Sequence, residues 1–154
     1  MQSHLLTTDS AQALRTYVIV LDAGEEALTA LTGFAVENQI FAATFSAIGA
    51  FEKASLGWFD FGRKDYDRTE VAGQCEALSL IGDIAEDDKG EPSVHAHAVL
   101  SLKDATTRGG HFLSGIAHPT LEITLTESPV HLRRRTIPGM GLALIKAPDG
   151  PASP

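Results

Sequence analysis

The sequence predicts an α+β fold: a central, mainly antiparallel sheet with one principal amphipathic helix packed on it. Two observations lead there. A single early segment carries helical spacing, and several later segments are β-branched or alternate in polarity. Residues 15–21 (RTYVIVL) are apolar and β-branched, which reads as a buried strand ending at Asp22-Ala23-Gly24. Leu28, Leu31, Phe34 and Ala35 recur at spacings of three and four, so residues 25–38 should form the helix, with two acids in its first turn.

Residues 40–48 and 54–61 are rich in Phe, Ala and other apolar side chains and read as paired strands around Gly49. A polar turn over 62–67 precedes a long strand-like run, 70–84, in which Gly73 and Gly82 mark bends or bulges. After a turn at 86–92, residues 93–102 (SVHAHAVLSL) alternate cleanly, and 120–126 (TLEITLT) alternate again, with 108–118 between them. The expected organisation is an N-terminal extension (1–14), one domain (15–146) and a disordered, proline-bearing tail (147–154).

A chain of 154 residues with 44% hydrophobic side chains can build one sizeable core. Its net charge of −8 argues against broad binding to a phosphate backbone, which depends on Lys and Arg displacing counterions. Arg133-Arg134-Arg135 is the one dense basic run, and three such charges read as a solvated stretch beside a strand. The single cysteine, Cys75, cannot form a disulfide within the chain, which fits a reducing compartment. No signal-peptide pattern and no apolar run of about 18 residues occur, so a cytoplasmic protein with no membrane partner is expected.

The chemistry concentrates in three histidines. His95 and His97 lie two apart in the best-alternating strand and therefore share a face, with Cα atoms about 6.6 Å apart. Val94, Ala96, Ala98 and Leu100 would fill the opposite, core-facing side. His111 follows Gly109-Gly110, where residues without Cβ let the backbone turn and approach a neighbouring strand closely. Three neutral imidazoles on one ion suit Zn²⁺ and leave a fourth position for water, an exogenous ligand or a carboxylate, with Glu76 and Glu122 as auxiliary candidates. His4, His118 and His131 read as bystanders, with His118 a possible substitute for His111.

Other His-x-His chemistries lack their companions. A cupin would place a glutamate at 101 or 102, where Ser101 and Leu102 stand; a metallo-β-lactamase-like site would need an aspartate at Val99; a JAMM-type protease would need a serine at Ala105. No Gly-x-Ser-x-Gly elbow, Walker loop or Gly-x-Gly-x-x-Gly turn is present. Cys75, beside Glu76, reads as core packing rather than an activated thiolate. Glu76 would share a strand face with Leu78 and Leu80, and an ion pair with an arginine such as Arg108 accounts for it as well as a metal or substrate contact does.

Residues 15–21, Gly24-Glu25-Glu26, Phe45-Ser-Ala-Ile-Gly-Ala50, Gly73-Gln-Cys-Glu-Ala-Leu-Ser-Leu80, His95-Ala-His97, Gly109-Gly-His111 and Leu121-Glu122-Ile123 occur in an order and spacing that resembles the plants-and-prokaryotes-conserved (PPC) domain. The resemblance spans residues 15–146. It implies an α+β fold, a homotrimer, and a zinc site at the positions of His95, His97 and His111. Plant members join the domain to AT-hooks that contact DNA. This chain has no Arg-Gly-Arg-Pro hook, and Gly73-Gln-Cys-Glu-Ala-Leu replaces the plant Gly-Arg-Phe-Glu-Ile-Leu, so a DNA or protein partner rests on family analogy.

The leading expectation is thus a homo-oligomeric, zinc-binding PPC-domain protein acting as a binding or regulatory module. The alternative is a zinc-dependent enzyme acting on a small molecule through an open coordination position, with Glu76 as general base. A deep cleft beside the ion favours the open-position chemistry, whereas four protein ligands favour a structural role.

Overall fold

The computed structural model describes residues 1–9, 14–128 and 132–146, with the side chains of 3–9 left aside. The tail expected at 147–154 and His131 therefore lie outside the described residues, as does the side chain of His4.

Strand β1 (Gln2–Asp9) runs antiparallel to β2 (Leu14–Asp22), which pairs in turn with the last part of a long strand near the C-terminus. Between them in sequence lies α1 (Ala27–Glu37). Its start is fixed by Glu26, whose carboxylate accepts from the Leu28 and Thr29 N–H groups at 3.3 and 2.8 Å and also from Gly115 N–H at 3.1 Å. One side chain thus caps the helix and ties it to the sheet. The acid expected within the first turn acts as the cap instead, and Ala27, Leu31, Phe34 and Ala35 form the buried stripe.

The remaining strands are β3 (Ala42–Asp60), β4 (Asp65–Val71), β5 (Cys75–Glu86), β6 (Pro92–Ser101), β7 (Thr107–Glu127), β8 (Arg133–Thr136) and β9 (Ala143–Lys146). Pairings β3–β5, β5–β6, β6–β7 and β7–β3 close into a circuit, and all are antiparallel. β4 adds to β3, and the β8–β9 hairpin attaches through a short parallel pairing with β5. Inside the circuit Phe51, Phe112, Leu80, Leu100, Leu121, Ile123 and Leu125 are fully buried, with α1 packed against β6 and β7. Phe51 and Phe112 meet at a ring-centroid distance of 5.3 Å.

The α+β expectation is corrected by this architecture. The fold is mainly β: nine strands against one helix of 11 residues among the described residues. The early helical period is real but isolated, and the class expectation gave it too much weight. Two segment boundaries dissolve for a local reason. The runs expected at 40–48 and 54–61 merge, from Ala42 to Asp60, into one strand, β3, because Gly49, at φ +145, forms a bulge and not a turn. Its missing Cβ would lie 2.4 Å from the Thr120 carbonyl oxygen, so only glycine lets β3 and β7 stay paired there. Likewise 108–118 and 120–126 are a single strand, β7.

Candidate metal centre

β6 alternates as its sequence implies: Ala96, Ala98 and Leu100 are buried, while His95 and His97 point away from the core. His111 in β7 stands directly opposite His97 in the antiparallel register and so shares its face. The approach depends on the preceding glycine. A Cβ on Gly110 would come within 2.8 Å of the Gly57 carbonyl oxygen, so a larger residue would push β7 away from β3 just before His111.

The three rings converge. Their centroids are 5.1 Å (His95–His97), 5.0 Å (His95–His111) and 5.3 Å (His97–His111) apart. One nitrogen from each ring lies within 4.8 Å of those of the other two. A tetrahedral ion with Zn–N bonds of about 2.0–2.1 Å wants nitrogens about 3.3 Å apart. The donor set is all imidazole, and the sequence-derived triad is the metal-competent group found among the described residues.

Two of the rings, His97 and His111, also favour the uncharged state that a ligand needs. Burial, reinforced by His95, His97 and Arg134, lowers the His111 pKa to about 4. Burial and His95 lower that of His97 as well.

Behind His95 stands a polar support that the sequence reading missed. Asp83, opposite His95 in the β5–β6 register, places Oδ2 3.5 Å from His95 Nδ1. The same carboxylate pairs with Arg134, which is 6% exposed and donates to the Ser93 carbonyl at 3.2 Å. Burial pushes the Asp83 carboxyl up, but the His95 hydrogen bond and the Arg134 charge outweigh it and hold its pKa below the usual value. An acid in the apolar stretch Leu80-Ile-Gly-Asp-Ile84 was the available signal, by the same reasoning applied to Glu76.

The basic run is therefore only partly a solvated stretch: Arg133 is exposed, whereas Arg134 is buried. Arg134 is buried on Asp83, Arg135 pairs with Glu86 at 2.9 Å and lies 3.8 Å from Asp88, and Arg133 lies 3.7 Å from Glu86. Each positive charge faces a carboxylate.

Neither auxiliary acid joins the histidines. Glu76 and Glu122 are exposed and line a separate groove with Ile48 and Leu78. A bulge between Ala77 and Ser79 breaks the alternation assumed for Glu76, so Leu78 faces solvent while Leu80 is buried. The nearest arginine contact considered for it goes elsewhere, since Arg108 donates to the Glu70 carbonyl at 3.4 Å. His118 is exposed and outside the triad, and Cys75 is buried, its thiol pKa raised by burial and by Glu76.

The triad opens into a cleft of ≈ 680 Å³. Tyr66 forms one wall, stacked on His111 at 4.6 Å, with Trp58 and Phe59 beside it. The β8–β9 hairpin also lines the cleft, through Leu142, Ala143 and Leu144.

The Plants and Prokaryotes Conserved (PCC) domain model matches residues 8–129, most of the chain. The chain belongs to this family. A PPC protein from Pyrococcus horikoshii is similar at 34% identity and a TM-score of 0.81, with 86% of this chain and 92% of that one covered. A candidate DNA-binding protein from Ralstonia eutropha follows at 32% identity and TM-score 0.79, covering 86% and 91%. A metal-containing protein from Archaeoglobus fulgidus shares 31% identity at TM-score 0.77, covering 86% and 93%. No curated protein sequence matches. The PCC match ends at residue 129, so the hairpin wall and Arg134 stand outside the matched segment.

Proposed function

We propose that this PCC-domain chain is a homotrimeric, zinc-binding module in which His95, His97 and His111 hold the ion and the fourth coordination position faces the cleft. The observation that carries this reading is the convergence of three imidazole nitrogens to within 4.8 Å. An all-imidazole donor set suits Zn²⁺. The metal-containing relative from Archaeoglobus fulgidus supports a metal in the family, though not its identity.

Assembly is supported by the sheet face on which the histidines lie. Ile81, directly opposite His97, and Val99, two residues further along β6, are exposed there, and Ile48 and Leu78 are exposed in the separate groove. A second copy of the chain would withdraw these apolar side chains from water. The trimeric count comes from the family likeness. Cys75, unpaired and buried, fits a cytoplasmic setting, and among the described residues no helix is long and apolar enough to cross a membrane.

One observation favours the enzymatic reading as a second possibility: three protein ligands beside an open cleft is the arrangement of catalytic zinc, where bound water is activated. Glu76 is not its base, since it lies in another groove. DNA binding, suggested by the Ralstonia relative, finds little support in a chain of net charge −8 whose arginine run is paired with acids.

Elemental analysis of gently purified protein, combined with its mass in solution, tests the reading. One zinc per chain and a mass of three chains are expected; a metal-free protein would end the metal assignment, and a monomer would end the assembly.

A further inference from the structure

The charge balance of the cleft points to its ligand. An imidazole that ligates a metal does so as a neutral donor, and Asp83, the acid against His95, is paired with Arg134. Among the described residues, no acidic side chain lines the cleft. With a divalent ion in place, the site carries two uncompensated positive charges against walls of Trp58, Phe59, Tyr66, Leu142 and Leu144. A neutral ligand leaves this charge unbalanced, whereas an anion offsets it.

The choice among anions follows from the available donors. Arg134 is committed to Asp83 and to the Ser93 carbonyl, so no array of free N–H groups remains to satisfy the several oxygens of a phosphate. A carboxylate needs less, because the metal itself takes its charge. The walls then ask for an apolar partner: Trp58 is 67% exposed, Tyr66 is held flat against His111, and Leu144 on the β8–β9 hairpin is also exposed. A cleft of ≈ 680 Å³ is the size of a small-molecule site.

We propose that the cleft binds a small carboxylate carrying a flat aromatic or branched apolar group, its oxygen on the metal and its apolar part between Trp58 and the Leu142–Leu144 wall. This inference rests on the zinc reading above. It makes the β8–β9 hairpin a specificity element, since that hairpin lies beyond the family-matched residues and supplies one side of the apolar slot.

Calorimetric titration of the zinc-loaded protein with benzoate, acetate, benzyl alcohol and inorganic phosphate tests it, with zinc content measured on every sample. Benzoate should bind at least tenfold more tightly than acetate and than benzyl alcohol, and more tightly than phosphate. Removing zinc should weaken benzoate at least tenfold. Trp58→Ala should erase most of benzoate's advantage while leaving acetate within about twofold. A protein that holds no zinc overturns both readings. One zinc per chain with no benzoate uptake, with benzyl alcohol bound equally well, or with phosphate preferred overturns this one alone.

Discussion

Asp83 faces His95 directly across the β5–β6 pair, with its carboxylate oxygen 3.5 Å from Nδ1 of the ring. A carboxylate on one imidazole nitrogen fixes the ring's orientation and leaves the other nitrogen, Nε2, for a cation. Arg134 in turn anchors Asp83, so the hairpin beyond the family-matched residues reaches the metal centre through two contacts.

Replacing Asp83 by Asn should therefore weaken zinc about 10–100-fold without removing a ligand. Competition with a chromogenic chelator measures this, and Asp83→Glu should restore part of the loss. Unaltered affinity in Asp83→Asn would show that His95 needs no such support.

His97→Ala should drop zinc well below one ion per chain and lower the melting temperature of protein purified with its metal, because the ion links β6 to β7 through His97 and His111. Elemental analysis and thermal melts of the two proteins provide the comparison. Full zinc content in the variant would remove His97 from the ligand set.

Acid should act on the metal-free protein through His111. Its folded pKa, about 4, lies below the ordinary value of 6.5, so between these values the unfolded chain binds the extra proton. Stability contributed by the neutral ring is complete above about pH 6.5 and is lost as pH falls towards 4. His97, shifted in the same direction, adds to the loss. Urea midpoints measured across pH 4–7 should fall on acidification, and His111→Gln should flatten that slope.

Gly110→Ala should destabilise the fold by about 1–3 kcal/mol, because the new methyl group meets backbone and not a flexible side chain. Urea unfolding reads the loss. Zinc affinity should fall with it, since β7 must move beside His111.

Leu78→Asp should reduce the mass in solution from three chains to one while leaving circular dichroism and zinc content unchanged. Leu78 sits on the bulge of β5, exposed and away from the histidines. A trimer that survives the charge would place the interface elsewhere.

Much of the site was legible because strand alternation is a short-range property. His95 and His97 share a face by chain geometry alone, and the Gly109-Gly110 pair announced a close strand approach. Asp83 and Arg134 were not legible, because they lie 51 positions apart and meet only once β8 docks beside β5. Bulges account for other differences. Gly49 continues β3 where a break was expected, and the shift between Ala77 and Ser79 turned Glu76 and Leu78 to solvent. The fold class was misjudged because one clear helical period stands out in sequence, whereas the nine strands that outweigh it depend on distant partners.

X-ray absorption at the zinc edge of the purified protein tests the central claim most directly. Three imidazole nitrogens at about 2.0–2.1 Å and one further light atom are expected, with one imidazole lost in His111→Gln. A sulfur ligand, or a spectrum unchanged in that variant, would contradict the assignment of the ion to His95, His97 and His111.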